Sequence, residues 1–99
     1  MKFEWDEQKR ETNLEKHGVD FEDAKLIFSG QTVEIPDNRH NYGEHRIGAF
    51  GEVKNNVFFV VYTQRGEKRR IISARKAGTN ERELYYSHIA RERTNEQQN

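Results

Sequence analysis

A chain of 99 residues, 32% hydrophobic and 34% charged, has room for one domain with a lean core and for no second one. It has no cysteine, which rules out a disulfide framework and thiolate metal sites. It also lacks any apolar run near the roughly 20 residues of a membrane span, so a cytoplasmic protein without membrane contact is expected. Its formal net charge is +0, but residues 1–37 hold ten acids against five Lys/Arg, whereas residues 65–76 hold six Lys/Arg against Glu67 alone. A field concentrated in this way attracts polyanions locally; a solvated basic strand edge that resists aggregation accounts for it equally well.

In chain order, Lys2 to Trp5 alternates as a first strand. Asp6 is a good N-cap for a helix over Glu7 to His17, and Gly18 stands where a helix-ending glycine belongs. Leu14 is the only large apolar side chain of that helix, so neighbours must hold it in place. Asp20 can cap a second, short helix carrying Phe21, Ala24, Leu26, Ile27 and Phe28, which Ser29-Gly30 ends. Thr32 to Ile35 reads as a strand stopped by Pro36-Asp37-Asn38, and His45 to Phe50 as another, with Gly51 opening a turn. Val57 to Thr63 is a β-branched and aromatic run of the kind buried on both faces, with a hairpin turn at Asn55-Asn56 before it. A turn through Gly66 leads into Arg69 to Arg75, a second central strand. Gly78-Thr79-Asn80 opens a last helix from Glu81 to about Arg91. The expected domain is residues 1–93, with a polar, frayed tail over 94–99. Helices and strands in blocks argue an α+β fold with an antiparallel sheet of four to five strands, two N-terminal helices and a C-terminal helix.

Chemistry can sit in two places. On the strand Arg70-Ile71-Ile72-Ser73-Ala74-Arg75, strict alternation puts Ile71, Ser73 and Arg75 on one face. An arginine beside small residues there offers a fixed fork of donors to a phosphate, or else pairs with a helix carboxylate across the sheet. On the first helix, Lys9, Asn13 and Lys16 share a stripe, with His17 about 100° further round; this is a cationic surface or simply a solvated face. His40 and His45 sit in or near a loop, His88 in the last helix, and no two histidines have metal spacing. His17 is the candidate for proton transfer, histidine being the side chain that titrates nearest neutral pH; it is also placed to cap the helix end. No phosphate-binding loop, nucleotide fingerprint, nucleophile elbow or zinc motif is present, so neither a cofactor nor a metal is expected.

The run Trp5-Asp6-x-x-Lys9-x-x-x-Asn13-x-x-Lys16-His17-Gly18-Val19-x-Phe21 resembles the opening motif of the BrnT toxin family. Val60-Val61-Tyr62-Thr63-x-Arg65 and Arg70-Ile71-Ile72-Ser73-Ala74-Arg75-Lys76-Ala77 resemble its central hairpin, and Glu81-Arg82-x-x-Tyr85-Tyr86 its last helix. The resemblance spans residues 2–87. It departs at Gly78, where the family tends to place Ser or Thr as a helix cap. It implies a RelE-like fold and metal-independent RNA cleavage that arrests translation. It also implies neutralisation by a BrnA-like ribbon-helix-helix antitoxin in a two-plus-two complex, with operator DNA reached only through that antitoxin.

A metal-free ribonuclease needs a base for the 2′-hydroxyl, cations for the phosphate charge and an acid for the leaving 5′-oxygen. On that basis His17 would carry proton transfer, a lysine being the alternative base. Arg65 and Arg75 would stabilise charge with Lys76, and Lys9, Lys16, Arg39, Arg46 and Arg70 would hold the RNA backbone. Tyr62 would stack on a base. A non-catalytic RNA- or protein-binding module using the same basic hairpin is the alternative.

Overall fold

A computed structural model describes residues 1–39 and 43–97. The elements are β1 (Lys2–Glu4), α1 (Glu7–His17), α2 (Phe21–Ala24) running into a 3-10 turn (Lys25–Ser29), β2 (Thr32–Pro36), β3 (Ile47–Val53), β4 (Asn56–Arg65), β5 (Lys68–Lys76) and α3 (Thr79–Gln97). The fold is α+β, with five strands in the order β1-β5-β4-β3-β2. The sheet is mixed rather than antiparallel throughout. β1 runs parallel to β5, pairing Lys2 with Lys68 and Glu4 with Arg70, and a three-residue strand carries no sequence signal of direction. No helix among the described residues is long and apolar enough to cross a membrane.

The apolar run in β4 makes it the central strand. Val60 and Tyr62 face Val19, Phe21, Ala24 and Ile27 from the α2 segment, together with Ile71 and Ala74 of β5. Val57 faces the other way, toward Tyr85 and Ile89 of α3, with Val33 and Phe50 beside them. Full burial of side chains such as Phe21, Ile27, Val60 and Ile71 contributes roughly 1.5–3 kcal/mol each.

Three local features differ from the sequence expectation, each for a physical reason. Gly51 opens no turn. It lies inside β3, where a Cβ would fall 2.6 Å from the Cβ of Ile27, so glycine lets the 3-10 turn pack onto the sheet. The hairpin turn is instead Lys54-Asn55, both at positive φ (50° and 70°), which matches the twist of the strands it joins. Second, the β4–β5 ladder steps from Val61↔Ser73 to Tyr62↔Ile71. Ile72 is therefore the extra residue of a bulge that breaks strict alternation and puts Ile71 and Ala74 in the same core. Third, α3 starts at Thr79 and reaches Gln97, past Arg91, because nothing from Glu92 to Gln97 breaks a helix. Gly78 donates its N–H to Glu81 Oε1 at 2.7 Å, and its carbonyl accepts from Arg82 at 2.9 Å.

Candidate active site

The basic hairpin is folded against the acids of the rest of the chain. Arg70 reaches Glu4 at 2.7 Å and Arg69 reaches Glu34 at 3.7 Å, so acids from the N-terminal third neutralise the cationic strand. Arg65 lies 3.4 Å and Arg46 3.2 Å from Glu44. Partial burial raises the Glu44 carboxyl, but those two guanidiniums outweigh it and hold the group below its ordinary value. Arg75 makes a fork with Glu81 at 2.8 and 2.9 Å and stacks 4.8 Å over Phe59. That pair, backed by the Gly78 N–H, brings Glu81 down to about 2. Arg39 forks onto buried Asp37 at 2.8 and 3.1 Å and shares a small pocket with Arg75, Phe50 and Phe59. Of the arginines expected to meet RNA, each already holds a carboxylate.

Tyr62 is not presented for base stacking. It is 2% exposed, with Phe28 edge-on at 5.3 Å and Arg69 over its ring at 4.8 Å. Its hydroxyl donates to Glu34 Oε1 at 3.0 Å, and burial together with that bond pushes the phenol up to about 12.

Two of the cations without ion pairs among the described residues, Lys9 and Lys16, lie on α1, within the acidic N-terminal part of the sequence. Asp6 caps this helix, accepting from Gln8 N at 2.8 Å and Lys9 N at 3.2 Å. Gly18 closes it at φ 69°, donating to Leu14 O at 2.8 Å. Leu14 does not anchor the helix, being 45% exposed. The anchors are polar. Arg10 forks onto Asp20 at 2.8 and 3.0 Å. Asn13, 7% exposed, accepts from Ala74 N at 3.1 Å and donates to Ala74 O at 2.8 Å and Val19 O at 2.9 Å. β1 pairs with β5 only as far as Arg70. Beyond it, the Asn13 amide stands in for the missing strand and satisfies both backbone groups of Ala74.

This docking leaves an open cleft of about 560 Å³ between α1 and the β5 bulge. Lys9, Lys16 and His17 line it from the helix, and Ile72 and Ser73 from the strand, with Gln8 and Thr12 adding polar groups. Neither lysine has an ion pair and the His17 imidazole has no hydrogen bond among the described residues. The Gly18 N–H, not His17, closes the helix end. Glu7, two residues before Lys9, is engaged by Arg10 at 3.0 Å and by the Trp5 indole at 2.9 Å.

The structure therefore brings Lys9, Lys16 and His17 together but leaves His17, Arg65 and Arg75 lining three separate depressions. Arg75 lies with Phe59 on the face that α3 covers. Lys76 is exposed at the end of β5. Asn13 is the residue whose role sequence reasoning missed. Its signal was present, since an amide in a helix without an apolar stripe marks a contact made by hydrogen bonds. His40 lies outside the described residues. Among them, no three His, Asp or Glu side chains converge as a metal site.

No curated protein matches the chain. The family model described as the ribonuclease toxin BrnT of a type II toxin–antitoxin system matches residues 5–81, which takes in α1, the whole sheet from β2 to β5 and the start of α3. The chain belongs to the BrnT family of ribonuclease toxins.

Proposed function

We propose that this protein is a metal-independent endoribonuclease of RelE-like type that arrests translation. Its chemistry sits in the α1–β5 cleft, and a BrnA-like antitoxin neutralises it in a two-plus-two complex. The observation that carries this is the set of two unpaired lysines and one unbonded imidazole at a single open cleft. In the reaction the 2′-oxygen attacks the adjacent phosphorus as its proton passes to a base, and the bond from phosphorus to the 5′-oxygen breaks as that oxygen gains a proton. The products are a 2′,3′-cyclic phosphate and a 5′-hydroxyl. His17 moves the proton, and Lys9 and Lys16 supply the positive charge that the crowded phosphate requires. Arg65, Arg75 and Lys76 lie outside this set. Binding is expected to weaken with salt as phosphate contacts release counterions.

The test is cleavage of RNA by the purified protein in excess EDTA. Cleavage should persist, leave cyclic or 3′-phosphate and 5′-hydroxyl ends, and fail on 2′-O-methyl RNA and on DNA. His17→Ala and Lys16→Ala, both at exposed positions, should each slow the reaction by about 100-fold or more. Cutting of the methylated strand, or complete loss in EDTA, would overturn the mechanism. Binding without cutting under every condition would make the protein a non-catalytic RNA-binding module.

A further inference from the structure

α3 covers the second face of the sheet incompletely. Its buried contacts are Tyr85 and Ile89, and Tyr85 also donates its hydroxyl to Gln31 O at 2.7 Å. Leu84, the residue before Tyr85 and so about 100° round the helix from it, is 66% exposed. Val33 and Ile35 project from the same face of β2, and Ile35 is 46% exposed. Together with Phe50 and Tyr85 these side chains line a groove of about 380 Å³. The groove opens beside β2, the last strand of the sheet. Leu84, His88 and Arg91 recur at helical spacing along its wall.

The charge in this groove is one-sided. Glu81 is consumed by Arg75 and the Gly78 N–H. His88 meets Glu92 at 2.9 Å. Arg91 has no ion pair among the described residues. An occupant therefore has to bring apolar side chains for Leu84, Ile35 and Phe50, and a carboxylate for Arg91. The unpaired outer edge of β2 offers backbone donors and acceptors to the same segment.

We infer that this groove is where the antitoxin docks, through an apolar segment carrying an acidic residue. This rests on the toxin reading, because that reading supplies a protein partner. It separates the two functions of the surface: RNA meets the α1–β5 cleft, and the antitoxin grips the opposite face of the sheet.

The experiment uses the full chain and its antitoxin, with affinity measured by calorimetry and toxicity by growth after induction. Leu84→Glu and Arg91→Glu, both at exposed or rim positions, should each weaken the complex about tenfold or more. Growth arrest by each variant alone should remain, and rescue by the antitoxin should fail. Lys16→Ala should bind the antitoxin as the parent protein does. Leu84→Ser serves if Leu84→Glu does not fold. Unchanged affinity in folded Leu84 and Arg91 variants, loss of binding in Lys16→Ala instead, or no complex with the parent protein would overturn the assignment. A protein that binds through the groove yet never arrests growth would refute the toxin activity and leave the docking surface standing.

Discussion

Replacing Asn13 by alanine tests how the cleft is built. The substitution removes three hydrogen bonds and leaves Ala74 N–H, Ala74 C=O and Val19 C=O without partners. At about 1 kcal/mol net for each bond, the loss is about 3 kcal/mol, with water entering from the open cleft holding it near that figure. For a domain whose total stability is roughly 5–15 kcal/mol, this should lower the melting temperature by roughly 10–20 °C. Asn13→Asp makes the test sharper. It keeps the acceptor for Ala74 N–H but turns a carboxylate toward two carbonyl oxygens that now receive Nδ2 at 2.8 and 2.9 Å. The ionised form is disfavoured in the fold, so the folded pKa rises above the unfolded value of about 3.9. A carboxyl group shifted upward binds its proton more tightly when folded. The variant should therefore recover stability as pH falls through its folded pKa, with the recovery complete below the unfolded value. Urea unfolding of both variants between pH 7 and pH 4 reads this directly. An alanine variant within about 0.5 kcal/mol of the parent protein, or an aspartate variant with no pH-dependent recovery, would refute Asn13 as the substitute strand.

Two further measurements address the frame around the sites. Glu81, held at about 2 chiefly by Arg75, contributes stability that is present above the ordinary carboxylate value near 4.5 and lost as pH falls toward 2. The stability gap between the parent protein and Glu81→Gln should thus shrink between pH 5 and pH 2; a constant gap would show that the pair adds nothing. Gly51→Ala, which brings a Cβ to 2.6 Å from Ile27, should cost about 1–3 kcal/mol by overpacking. Gly30→Ala, where the nearest atom is 3.9 Å away, is its control. An unchanged urea midpoint in Gly51→Ala would mean that the 3-10 turn is free to shift.

Much of the fold was legible in the sequence because its signals are local. Asp6, Gly18 and Asp20 act through the backbone of their immediate neighbours, and the Val57–Thr63 run can only be stable where both faces are covered. Signals that depend on two distant segments were not legible. Gly51 reads as a turn residue until Ile27 is placed against it, and the bulge at Ile72 is set by pairing with β4. The candidate site divides along the same line. Lys9, Lys16 and His17 share one helix, so spacing alone groups them. Arg65, Arg75 and Tyr62 belong to strands whose side chains go to different faces and into the core.

The density of charge along a chain is a poor measure of the field that a ligand meets. Residues 65–76 carry a net of five positive charges, but folding sets Arg65, Arg69, Arg70 and Arg75 against Glu44, Glu34, Glu4 and Glu81. The strand is attached by these pairs as much as it is charged by them. α1 works the other way. It balances three acids against three Lys/Arg, and its anchors, Arg10 to Asp20 and Asn13 to Ala74, are made from polar groups on its inner side. A helix held by leucines would need an apolar stripe about 100° wide, which would spread over the positions where Lys9, Lys16 and His17 now face the cleft. Holding the helix by one buried amide and one guanidinium fork leaves those positions free. Its missing apolar stripe, which looks like a defect in the sequence, is the condition for carrying an unpaired cationic site on a helix this close to the sheet.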